Sequence, residues 1–402
     1  MQPIYLDNNA TTRVDPAVVD LMLPFFSEQF GNPSSMHSFG DKVGRAVKQA
    51  RKQVQSLLGA EHDSEIIFTS CGTESDSTAI LSALRTQPER KEIITTVVEH
   101  PAVLTLCEHL EKDGYKVHYL KVDTRGRLDL DAYQALLSDQ VAIVSVMWAN
   151  NETGTLFPVE RMAEMASAAG VLFHTDAVQA VGKLPIDLKN SKIDMLSLSG
   201  HKLHAPKGIG VLYLRRGVRY RPLLRGGHQE RGRRAGTENC TSIIALGKAA
   251  ELAMEHMEYE NTFVAAMRDR LEQGIMSQVT NAFVTGDPDN RLPNTSNIAF
   301  EFIEGEAILM LLNKQGIAAS SGSACTSGSL EPSHVMRAMD LPYTAAHGSI
   351  RFSLSRYNTM EEVERVIEAV PPIVAQLRKL SPYWGEKGPV EEPEKAFAPT
   401  YA

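Results

Sequence analysis

The chain has 402 residues, a length that suits two domains of about 100–200 residues each. Its net charge of −8 disfavours a nucleic acid or an anionic membrane as the partner of the whole molecule. No apolar run approaches the ~20 residues that span a bilayer, and the start of the chain lacks the pattern of a secretory signal. Four cysteines without a Cys-x-x-Cys pair give no indication of a zinc knuckle, and they suit a protein of the reducing cytoplasm.

Short strand-like and helix-like segments alternate between about residue 65 and residue 215. Several strand-like segments are continuous apolar runs, which is typical of strands covered on both faces. The pattern predicts a large α/β domain, residues 15–260, with a mostly parallel seven-stranded sheet wrapped by helices. The predicted strands are Ile66–Thr69, Ile93–Val98, Lys116–Val122, Val141–Trp148, Val171–Thr175, Met195–Leu198 and Gly210–Leu214.

Residues 1–14 and 261–402 are predicted to form a smaller α+β domain, joined to the first through a long helical segment from Ser242 to Gln278. A capping box of Thr359 and Glu362 predicts the start of the last helix, which Pro371-Pro372 should kink or start anew. The predicted elements of this domain are strand Asn297–Phe302, helix Glu306–Lys314, strand Ile350–Leu354 and a helix from Met360.

Two polar side chains follow apolar strands of the predicted sheet. Lys202 comes after Met195–Leu198, and Asp176 comes after Val171–Thr175. A lysine and a carboxylate at strand ends suit pyridoxal phosphate, because the amine can hold the aldehyde as a Schiff base and the carboxylate can keep the pyridine nitrogen protonated. The alternatives are an exposed surface lysine and an aspartate that caps a helix.

The turn after the first predicted strand of the sheet is an anion-site candidate. Gly72 and Thr73 would present backbone N–H groups at the positive end of a helix dipole, where a phosphate binds. A helix cap by Ser70 or Thr73 is the alternative.

Other strand ends carry side chains that can contact a cofactor. Because ligands bind at the carboxyl ends of strands in open α/β sheets, these side chains are expected to converge. An imidazole there can stack on a ring and move protons. The candidates are His100, Asn150-Asn151, Gln179 and the run Ser199, Gly200 and His201. A metal site at His201 and His204 is the alternative, but no third ligand lies at a useful spacing.

Cys325 lies in a run of serine and glycine, residues 320–329. Such a segment cannot pack a core, so it is expected to be mobile and exposed. Structural cysteines are normally buried among apolar side chains. Cys325 is therefore interpreted as a reactive thiol that a moving loop brings to a substrate.

Arginines suggest two further features. Arg351 would clamp a substrate carboxylate if its strand faces the cleft, and it would be an exposed edge residue otherwise. The stretch from Arg215 to Arg234 holds eight arginines and no lysine. It lacks the interleaved aromatic residues of a nucleic-acid site, so a subunit interface or an anion-lined entrance is preferred.

Motifs in order along almost the whole chain match one known family. They are Tyr5-Leu6-Asp7-Asn8-Asn9-Ala10-Thr11-Thr12, Gly31-Asn32-Pro33-Ser34-Ser35, Thr73-Glu74-Ser75, Glu99-His100, Asn150-Asn151-Glu152-Thr153-Gly154, Asp176-Ala177-Val178-Gln179, Ser199-Gly200-His201-Lys202, Arg234-Ala235-Gly236-Thr237 and Ser321-Gly322-Ser323-Ala324-Cys325. On these motifs the chain resembles the cysteine desulfurases, pyridoxal-phosphate enzymes of the aminotransferase class V group with the transferase fold of type I.

The resemblance implies a role for each matching position. Lys202, His100 and Cys325 are the implied catalytic residues, and Asn151 and Arg351 are the implied contacts of the substrate L-cysteine. The implied cofactor contacts are Gly72, Thr73, His100, Asn151, Asp176, Gln179, Ser199, Gly200, His201, Lys202 and, from the neighbouring subunit of a homodimer, Thr237.

The resemblance also implies the reaction and its partners. Sulfur would leave L-cysteine as a persulfide on Cys325, with L-alanine as the other product. The sulfur would then pass to a scaffold protein that builds iron–sulfur clusters, so Cys325 would also contact iron. The opening Asp7-Asn8-Asn9 and the tail Lys395-Ala396-Phe397-Ala398-Pro399 are most similar to the nitrogen-fixation branch, which suggests nitrogenase as the destination.

Alternative functions stay open on the sequence. They are a housekeeping desulfurase, a selenocysteine lyase, a pyridoxal-phosphate aminotransferase that needs no thiol, and a sulfur carrier that binds the cofactor only structurally. One residue departs from the pattern, because Cys71 stands where related members often have glycine.

Overall fold

The computed structural model describes residues 3–321, 332–386 and 388–390 of the chain. Its strands are β1 Ile4–Tyr5, β2 Ile66–Thr69, β3 Glu92–Thr96, β4 Lys116–Leu120, β5 Val141–Ser145, β6 Leu172–Asp176, β7 Met195–Ser199, β8 Gly210–Leu214, β9 Ala282–Val284, β10 Thr295–Phe300, β11 Ile317–Ala318, β12 Ser349–Ser353, β13 Trp384–Gly385 and β14 Gly388–Pro389.

Helices connect these strands. The α-helices are α1 Pro16–Met22, α2 Pro24–Ser27, α3 Ser38–Leu57, α4 Gly72–Thr86, α5 Pro101–Lys112, α6 Leu130–Leu136, α7 Val159–Ala168, α8 Gln229–Gly232, α9 Cys240–Glu255, α10 Met257–Tyr259, α11 Ala265–Met276, α12 Gly305–Lys314, α13 His334–Ala338, α14 Tyr343–Ala346 and α15 Met360–Arg378. Short 3₁₀ turns cover Asp63–Glu65 and Gly200–Lys202, and a π-helical segment covers Glu260–Val264. In the described part of the chain, no helix combines the length and the apolar character needed to cross a membrane.

The largest sheet within the described ranges has seven strands in the order β2-β8-β7-β6-β5-β3-β4. Strand β8 runs antiparallel to β2 and β7, and the other neighbours pair in parallel. The predicted mostly parallel sheet is therefore confirmed. Every predicted strand of it is present, with ends that differ by at most three residues.

Both faces of this sheet are covered by apolar packing. In β5, Ile143 lies in a cluster with residues of α4 and α5, whereas Val144 lies in the cluster on the opposite face with residues of α3, α7 and α9. Alternate side chains of one strand thus enter different cores, and for this reason the strands are continuous apolar runs.

A smaller antiparallel sheet, β12-β10-β9, packs with α11, α12 and α15. The first strand of the chain belongs with this unit, since β1 pairs in parallel with β11 and Ile4 joins its hydrophobic cluster. The capping box of Thr359 and Glu362 at α15 is confirmed. The division at residue 260 into two domains stays a prediction.

The long helical segment predicted from Ser242 to Gln278 is confirmed, and it consists of α9, α10, the π-helical segment and α11 in succession. Of the two alternatives at Pro371-Pro372, a new helix start is wrong, because α15 continues through both prolines. Its buried face, with Val370 before the prolines and Ile373 after them, offsets the backbone hydrogen bonds that two prolines cannot make.

Candidate active site

A cavity of about 290 Å³ lies beyond the carboxyl ends of the parallel strands. Four of the sequence-predicted residues line it from four strands. His100 follows β3, Asn151 follows β5, Asp176 ends β6 and Ser199 ends β7. Parallel strands deliver their carboxyl ends to one edge of the sheet, so the topology itself brings these side chains together.

Lys202 lines this cavity from the turn after β7. Its Nζ donates hydrogen bonds to the backbone oxygens of Asn9 and Ala10, at 2.5 and 2.7 Å. The pKa of Lys202 is lowered to about 7, mainly by burial and also by the charges of Arg351 and Lys183. The alternative of an exposed surface lysine is therefore wrong, and near neutral pH a large fraction of this amine is uncharged and nucleophilic.

Asp176 is buried at the floor of the cavity, next to two other buried acids. One of its oxygens accepts the N–H of Val178 at 2.9 Å, and a turn follows instead of the helix that the capping alternative requires. Burial raises the pKa of Asp176, while the charges of His100 and Lys202 lower it.

The two acids near Asp176 are Asp76 and Glu99. Burial raises the pKa of Asp76 well above its ordinary value, and the charge of Asp176 raises it further. Burial also raises the pKa of Glu99 to about 8, although the N–H of Met147 opposes this. Glu99, with a pKa of about 8, is mostly protonated at pH 7, and a cationic ring nitrogen next to Asp176 would favour the ionised form of that acid.

His100 caps the N-terminus of α5, where its Nδ1 accepts the N–H of Ala102 at 3.1 Å. This bond fixes the neutral ring in the tautomer with a proton on Nε2. Burial lowers the pKa of His100, and the charges of Lys202 and His334 act in the same direction, whereas Asp176 raises it. The ring is neutral at pH 7 and can stack on a flat cofactor.

The turn before α4 forms an open anion cradle. Cys71 occupies the N-cap position without a side-chain hydrogen bond to the helix, so the alternative of a cap by Ser70 or Thr73 is wrong. The helix's first N–H groups are left for a ligand. A Cβ at Gly72 would approach Cγ2 of Val178 to 2.9 Å, so glycine keeps the cradle open.

His201 also lines the cavity, and its Nδ1 lies 3.1 Å from the hydroxyl of Thr11. Burial lowers the pKa of His201 to about 4. Its predicted alternative partner His204 instead bonds the backbone oxygen of Arg13 at 3.0 Å. Among the residues that the structure describes, no group of three or more His, Cys, Asp or Glu is arranged for a metal ion, which removes the support for the metal alternative.

The amides at the cavity have different partners. Gln179 donates from Nε2 to the backbone oxygen of Asn9 at 2.9 Å and accepts from Nζ of Lys183 at 3.3 Å. Asn150 is buried and accepts the N–H groups of Glu152 and Thr153 with its side chain, so it shapes the turn. Of the predicted pair, Asn151 is the one that lines the cavity.

Arg351 enters the cavity from β12 of the smaller sheet and is 2% exposed, so the alternative of an exposed edge arginine is wrong. Its guanidinium donates to the backbone oxygen of Asn151 at 2.8 Å and to the carboxylate of Asp7 at 2.7 Å. Nε has no hydrogen-bond partner in the described part of the chain. A substrate carboxylate would therefore compete with Asp7 for this cation.

Three predicted residues are not placed in the cavity. Cys325 lies outside the described residues. Gly200 is buried, and a Cβ there would lie 2.7 Å from Cγ2 of Ile209. This lack of space is sufficient to explain why the residue is glycine, without any contact to a cofactor. Thr237 is exposed and does not line the cavity. Their roles in catalysis and cofactor binding stay predictions.

Of the other residues that line the cavity, four have titratable side chains to which the sequence assigned no role. They are Cys71, Asp76, Glu152 and His334. Glu152 could have been suspected, since it directly follows Asn151. His334 carried no signal, because it reaches the cavity from a short helix after residues 322–331, far from the strand ends in the chain.

These features fit pyridoxal phosphate. The uncapped start of α4 and Gly72 could hold the phosphate, Lys202 offers an amine of lowered pKa for the aldehyde, and Asp176 offers a buried acid for the ring nitrogen. The buried and partly unpartnered guanidinium of Arg351 provides a site for the carboxylate of an amino acid.

Known proteins agree with this geometry. A model of the aminotransferase class-V family matches residues 4–366. Cysteine desulfurase NifS of Azotobacter vinelandii is 76% identical over 401 residues, which is 100% of both chains. A cysteine desulfurase of Gluconacetobacter diazotrophicus is 68% identical over 403 residues, again 100% of both chains. A solved NifS-like protein, 38% identical, superimposes with a TM-score of 0.88 over 94% of this chain and 100% of its own. The chain therefore belongs to the aminotransferase class-V family, and within it to the pyridoxal-phosphate-dependent cysteine desulfurases.

Proposed function

We propose that this protein removes sulfur from L-cysteine, giving L-alanine and a persulfide on Cys325. One observation carries the proposal: Lys202, with a pKa lowered to about 7, and a buried Arg351 line the same cavity in a chain that is 76% identical to a named cysteine desulfurase. Pyridoxal phosphate, when bound, supplies an acceptor for the electrons of the substrate's α-carbon. The remaining tasks fall to side chains of this protein.

Arg351 binds and orients the substrate carboxylate. Its guanidinium is held by the backbone oxygen of Asn151, so the planar fork has a fixed direction. The present partner, the carboxylate of Asp7, occupies the position that a substrate carboxylate would take. Exchange of one carboxylate for the other keeps the buried cation neutralised throughout.

Lys202 moves the proton of the α-carbon. An amine with a pKa of about 7 accepts and returns a proton near neutral pH without a large energetic cost in either direction. The backbone oxygens of Asn9 and Ala10 hold its Nζ when it carries that proton.

Cys325 receives the sulfur. Its thiolate forms a bond to the substrate sulfur while the carbon–sulfur bond breaks, and the electron pair of that bond stays on the carbon that becomes the methyl group of alanine. The support for this step is the serine- and glycine-rich setting of Cys325 and the resemblance of its motif, Ser321-Gly322-Ser323-Ala324-Cys325.

The partners are proposed on the same basis. The persulfide would pass its sulfur to a scaffold protein on which iron–sulfur clusters are built, with Cys325 next to the iron. Nitrogenase is the proposed destination, because a NifS protein is among the relatives of highest identity described above. The cytoplasm is the proposed location, since four cysteines without a Cys-x-x-Cys pair suit a reducing compartment.

A homodimer is proposed as the working form. Between positions 23 and 39 the monomer exposes large apolar side chains, including Phe26 at 65% and Phe30 at 66%. Exposed apolar area of this kind marks protein interfaces. Thr237 is exposed as well, and we propose that it reaches the phosphate cradle of the partner subunit.

Intact-protein mass spectrometry after addition of L-cysteine tests the function. Wild-type protein and Cys71→Ala should each gain the mass of one sulfur atom, whereas Cys325→Ala should not. Cys71→Ala is the matched control because Cys71 is a thiol that lines the cavity. A sulfur adduct that persists in Cys325→Ala would overturn the assignment of the acceptor thiol.

Quantifying products separates the rival functions. A desulfurase forms one alanine per sulfur, and its Cys325→Ala variant forms almost none from cysteine. An aminotransferase would form a keto acid and would keep its activity in that variant. A selenocysteine lyase would release selenium from selenocysteine and leave L-cysteine untouched.

A further inference from the structure

Lys183 is a buried cation behind the wall of the active-site cavity, and no step described so far uses it. Its side chain is 7% exposed, and it lines a second, smaller cavity of about 20 Å³ together with Lys202. The pKa of Lys183 is lowered to about 8, mainly by burial, although the charge of Glu260 raises it. Burial of a cation is costly, so the contacts of this one are expected to show a role.

The ammonium group of Lys183 holds Gln179 at two points. Its Nζ donates to the backbone oxygen of Gln179 at 3.0 Å and to Oε1 of the side chain at 3.3 Å. The first bond closes the turn that follows β6, and the second bond holds the side chain with which this turn lines the active-site cavity. One lysine thus secures both the backbone and the amide of a cavity residue.

The two ends of the Gln179 amide have opposite partners. The ammonium group of Lys183 only donates, so the amide atom that faces it is the oxygen. The backbone oxygen of Asn9 only accepts, and Nε2 of Gln179 donates to it at 2.9 Å. The amide is therefore fixed in one of its two orientations, in which the second hydrogen of Nε2 remains for another acceptor.

The backbone oxygen of Asn9 connects Gln179 to the reactive amine. Nζ of Lys202 donates to this same oxygen at 2.5 Å. Asn9 is itself held in place, because its buried side chain donates to the hydroxyl of Thr295 at 2.8 Å. A continuous chain of hydrogen bonds thus leads from Lys183 through Gln179 and Asn9 to Lys202.

The backbone of Lys183 is tied to another element of the fold. Its carbonyl oxygen accepts from Nδ2 of Asn261 at 2.7 Å, and Asn261 belongs to the π-helical segment Glu260–Val264. Lys183 is therefore held at its backbone as well as at its side chain, as a residue that orients another one requires.

We propose that Lys183 is a positioning residue of the cofactor site, which holds the amide of Gln179 with its N–H groups toward Asn9 and the cavity. An amide held in this way donates and does not accept there. It suits the ring oxygen of pyridoxal phosphate, which is an acceptor when it is ionised. The inference deepens the proposed function, on which it rests, but it concerns the binding of the cofactor and not the transfer of sulfur.

A double-mutant cycle on cofactor binding tests the proposal. Lys183→Met keeps an unbranched side chain but removes the donor, and Gln179→Leu removes the amide. Each single variant should raise the Kd of pyridoxal phosphate about fivefold, in keeping with the loss of one hydrogen bond. Because Lys183 acts through Gln179, the double variant should bind within about twofold of Gln179→Leu alone. A loss of about 25-fold in the double variant, as two independent effects would give, would overturn the proposal.

Titration of the apoproteins with the cofactor, followed by absorbance, measures these affinities. Lys189→Met is the matched control and should bind like wild type, because the side chain of Lys189 is 58% exposed. Urea unfolding of the apoproteins checks that each variant is folded. Lys183→Leu removes the same donor and serves the same cycle if the methionine variant does not fold.

The absorption of the bound cofactor provides a second readout, which a merely structural role would not move. Loss of a donor to the ionised ring oxygen should raise the pH midpoint of the visible absorption by about half a unit to one unit in Lys183→Met and in Gln179→Leu. The double variant should show no further rise. The charged and titratable groups that face Lys183 are the same in every variant, namely Glu260, Arg351, Lys202, His204 and Arg356.

Two spectral outcomes would overturn the role of Lys183. They are a wild-type midpoint in Lys183→Met and a midpoint that rises further in the double variant than in Gln179→Leu. Absence of a persulfide in the wild-type protein would instead overturn the proposed function, and it would leave these measurements of cofactor binding unaffected.

Discussion

At the scale of single residues, buried charges around the cavity set one another's proton affinity. The pKa of Lys202 is about 7 as the net result of burial and the cations Arg351 and Lys183, which lower it, and of the anions Asp176 and Asp7, which raise it. Two of these groups also have proposed roles in binding, Arg351 for the substrate carboxylate and Asp176 for the cofactor ring. Reactivity of the lysine is therefore a property of the group as a whole.

The low pKa of Lys202 predicts a pH-dependent cost to folding. Between pH ~10 and pH ~7 the unfolded chain binds a proton that the folded apoprotein does not, so stability falls as the pH falls. As the pH falls through this range, the free energy of unfolding of wild-type apoprotein should fall relative to that of Lys202→Met by up to about 1.4 kcal/mol per pH unit. Below pH 7 the difference between the two proteins should stay constant. Urea unfolding of both apoproteins at several pH values measures this difference in unfolding free energy. A difference that stays constant from pH 10 to pH 7 would contradict the prediction.

The ion pair of Arg351 and Asp7 is predicted to stabilise the fold and to weaken substrate binding. Asp7→Asn removes the carboxylate that competes with the substrate for the guanidinium, so the KM for L-cysteine should fall severalfold. The free energy of unfolding should fall by about 1–3 kcal/mol, since Arg351 loses its counter-ion in a buried site. Because the side chain of Asp7 is 21% exposed, this loss of unfolding free energy should be smaller than for a fully buried ion pair.

Steady-state kinetics and urea unfolding check this variant. Asp113→Asn, which affects only an exposed pair with His109, is the control and should leave both quantities unchanged. A rise in KM would mean that Asp7 helps to position Arg351 for the substrate rather than competing for it.

The sequence predicts the cavity residues at strand ends, but it does not predict those that reach the cavity from elsewhere in the chain. Asp176, Ser199 and His100 were predicted because a parallel sheet brings its strand ends to one edge whatever the detailed packing. His334 and Glu152 were not predicted, since their positions depend on packing between segments far apart in the chain. The bond from His334 to Glu99, for example, joins residues 235 positions apart.

At the scale of elements, the start of α4 lacks a side-chain cap, so its backbone N–H groups are available to a ligand. Most helices of this chain with polar N-caps bond their own N–H groups, as Asp129 does for α6. Cys71 at the start of α4 makes no such bond, and Gly72 keeps the space in front of the helix empty. An anion can thus complete the helix end.

Gly72→Ala should weaken pyridoxal phosphate binding by about tenfold. The new Cβ would lie 2.9 Å from Cγ2 of Val178, so the turn must shift away from the position that the phosphate needs. The double variant Gly72→Ala/Val178→Ala removes the obstructing methyl groups and should recover most of the affinity. Titration of apoprotein with the cofactor, followed by absorbance, measures both. A double variant as weak as the single one would show that the methyl contact is not the cause.

The strands and helices themselves were predicted with different success. The strands of the large sheet follow from continuous apolar runs between polar turns, which is a local signal. The segment from Ser242 to Gln278 keeps helical periodicity although the structure interrupts it with the π-helical Glu260–Val264. That interruption depends on tertiary contacts: buried Glu260 faces Arg356 and Lys183, which no local pattern reveals.

At the scale of the whole molecule, charged contacts join the smaller sheet and its surroundings to the large sheet. Arg356 bonds Asp15 at 2.9 Å, and Arg127 bonds Asp287 with two hydrogen bonds of 2.6 and 2.7 Å. The cavity lies at the same junction, because Arg351 comes from the smaller sheet and Lys202 from the large one. If Arg351 binds the substrate as proposed, we expect substrate affinity to depend on these contacts between the two sheets.

The proposed dimer makes a prediction at the same scale. Phe26→Glu/Phe30→Glu places two charges in the exposed apolar segment between positions 23 and 39, so burial against a second copy would become costly. Wild type should sediment as a dimer at micromolar concentration, and the variant should sediment as a monomer. Leu380→Glu, at a side chain that is 76% exposed and outside this segment, is the control and should remain dimeric.

Measuring the affinity for pyridoxal phosphate shows whether the two subunits of the dimer share a cofactor site or only associate. If Thr237 of each subunit completes the partner's phosphate cradle, the monomeric variant should bind pyridoxal phosphate at least about tenfold more weakly, because a charge-assisted hydrogen bond to the phosphate is lost. Thr237→Val should reduce affinity similarly while the protein stays dimeric. A monomer with full cofactor affinity would show that each chain builds its cradle alone, and a dimeric Phe26→Glu/Phe30→Glu variant would place the interface elsewhere.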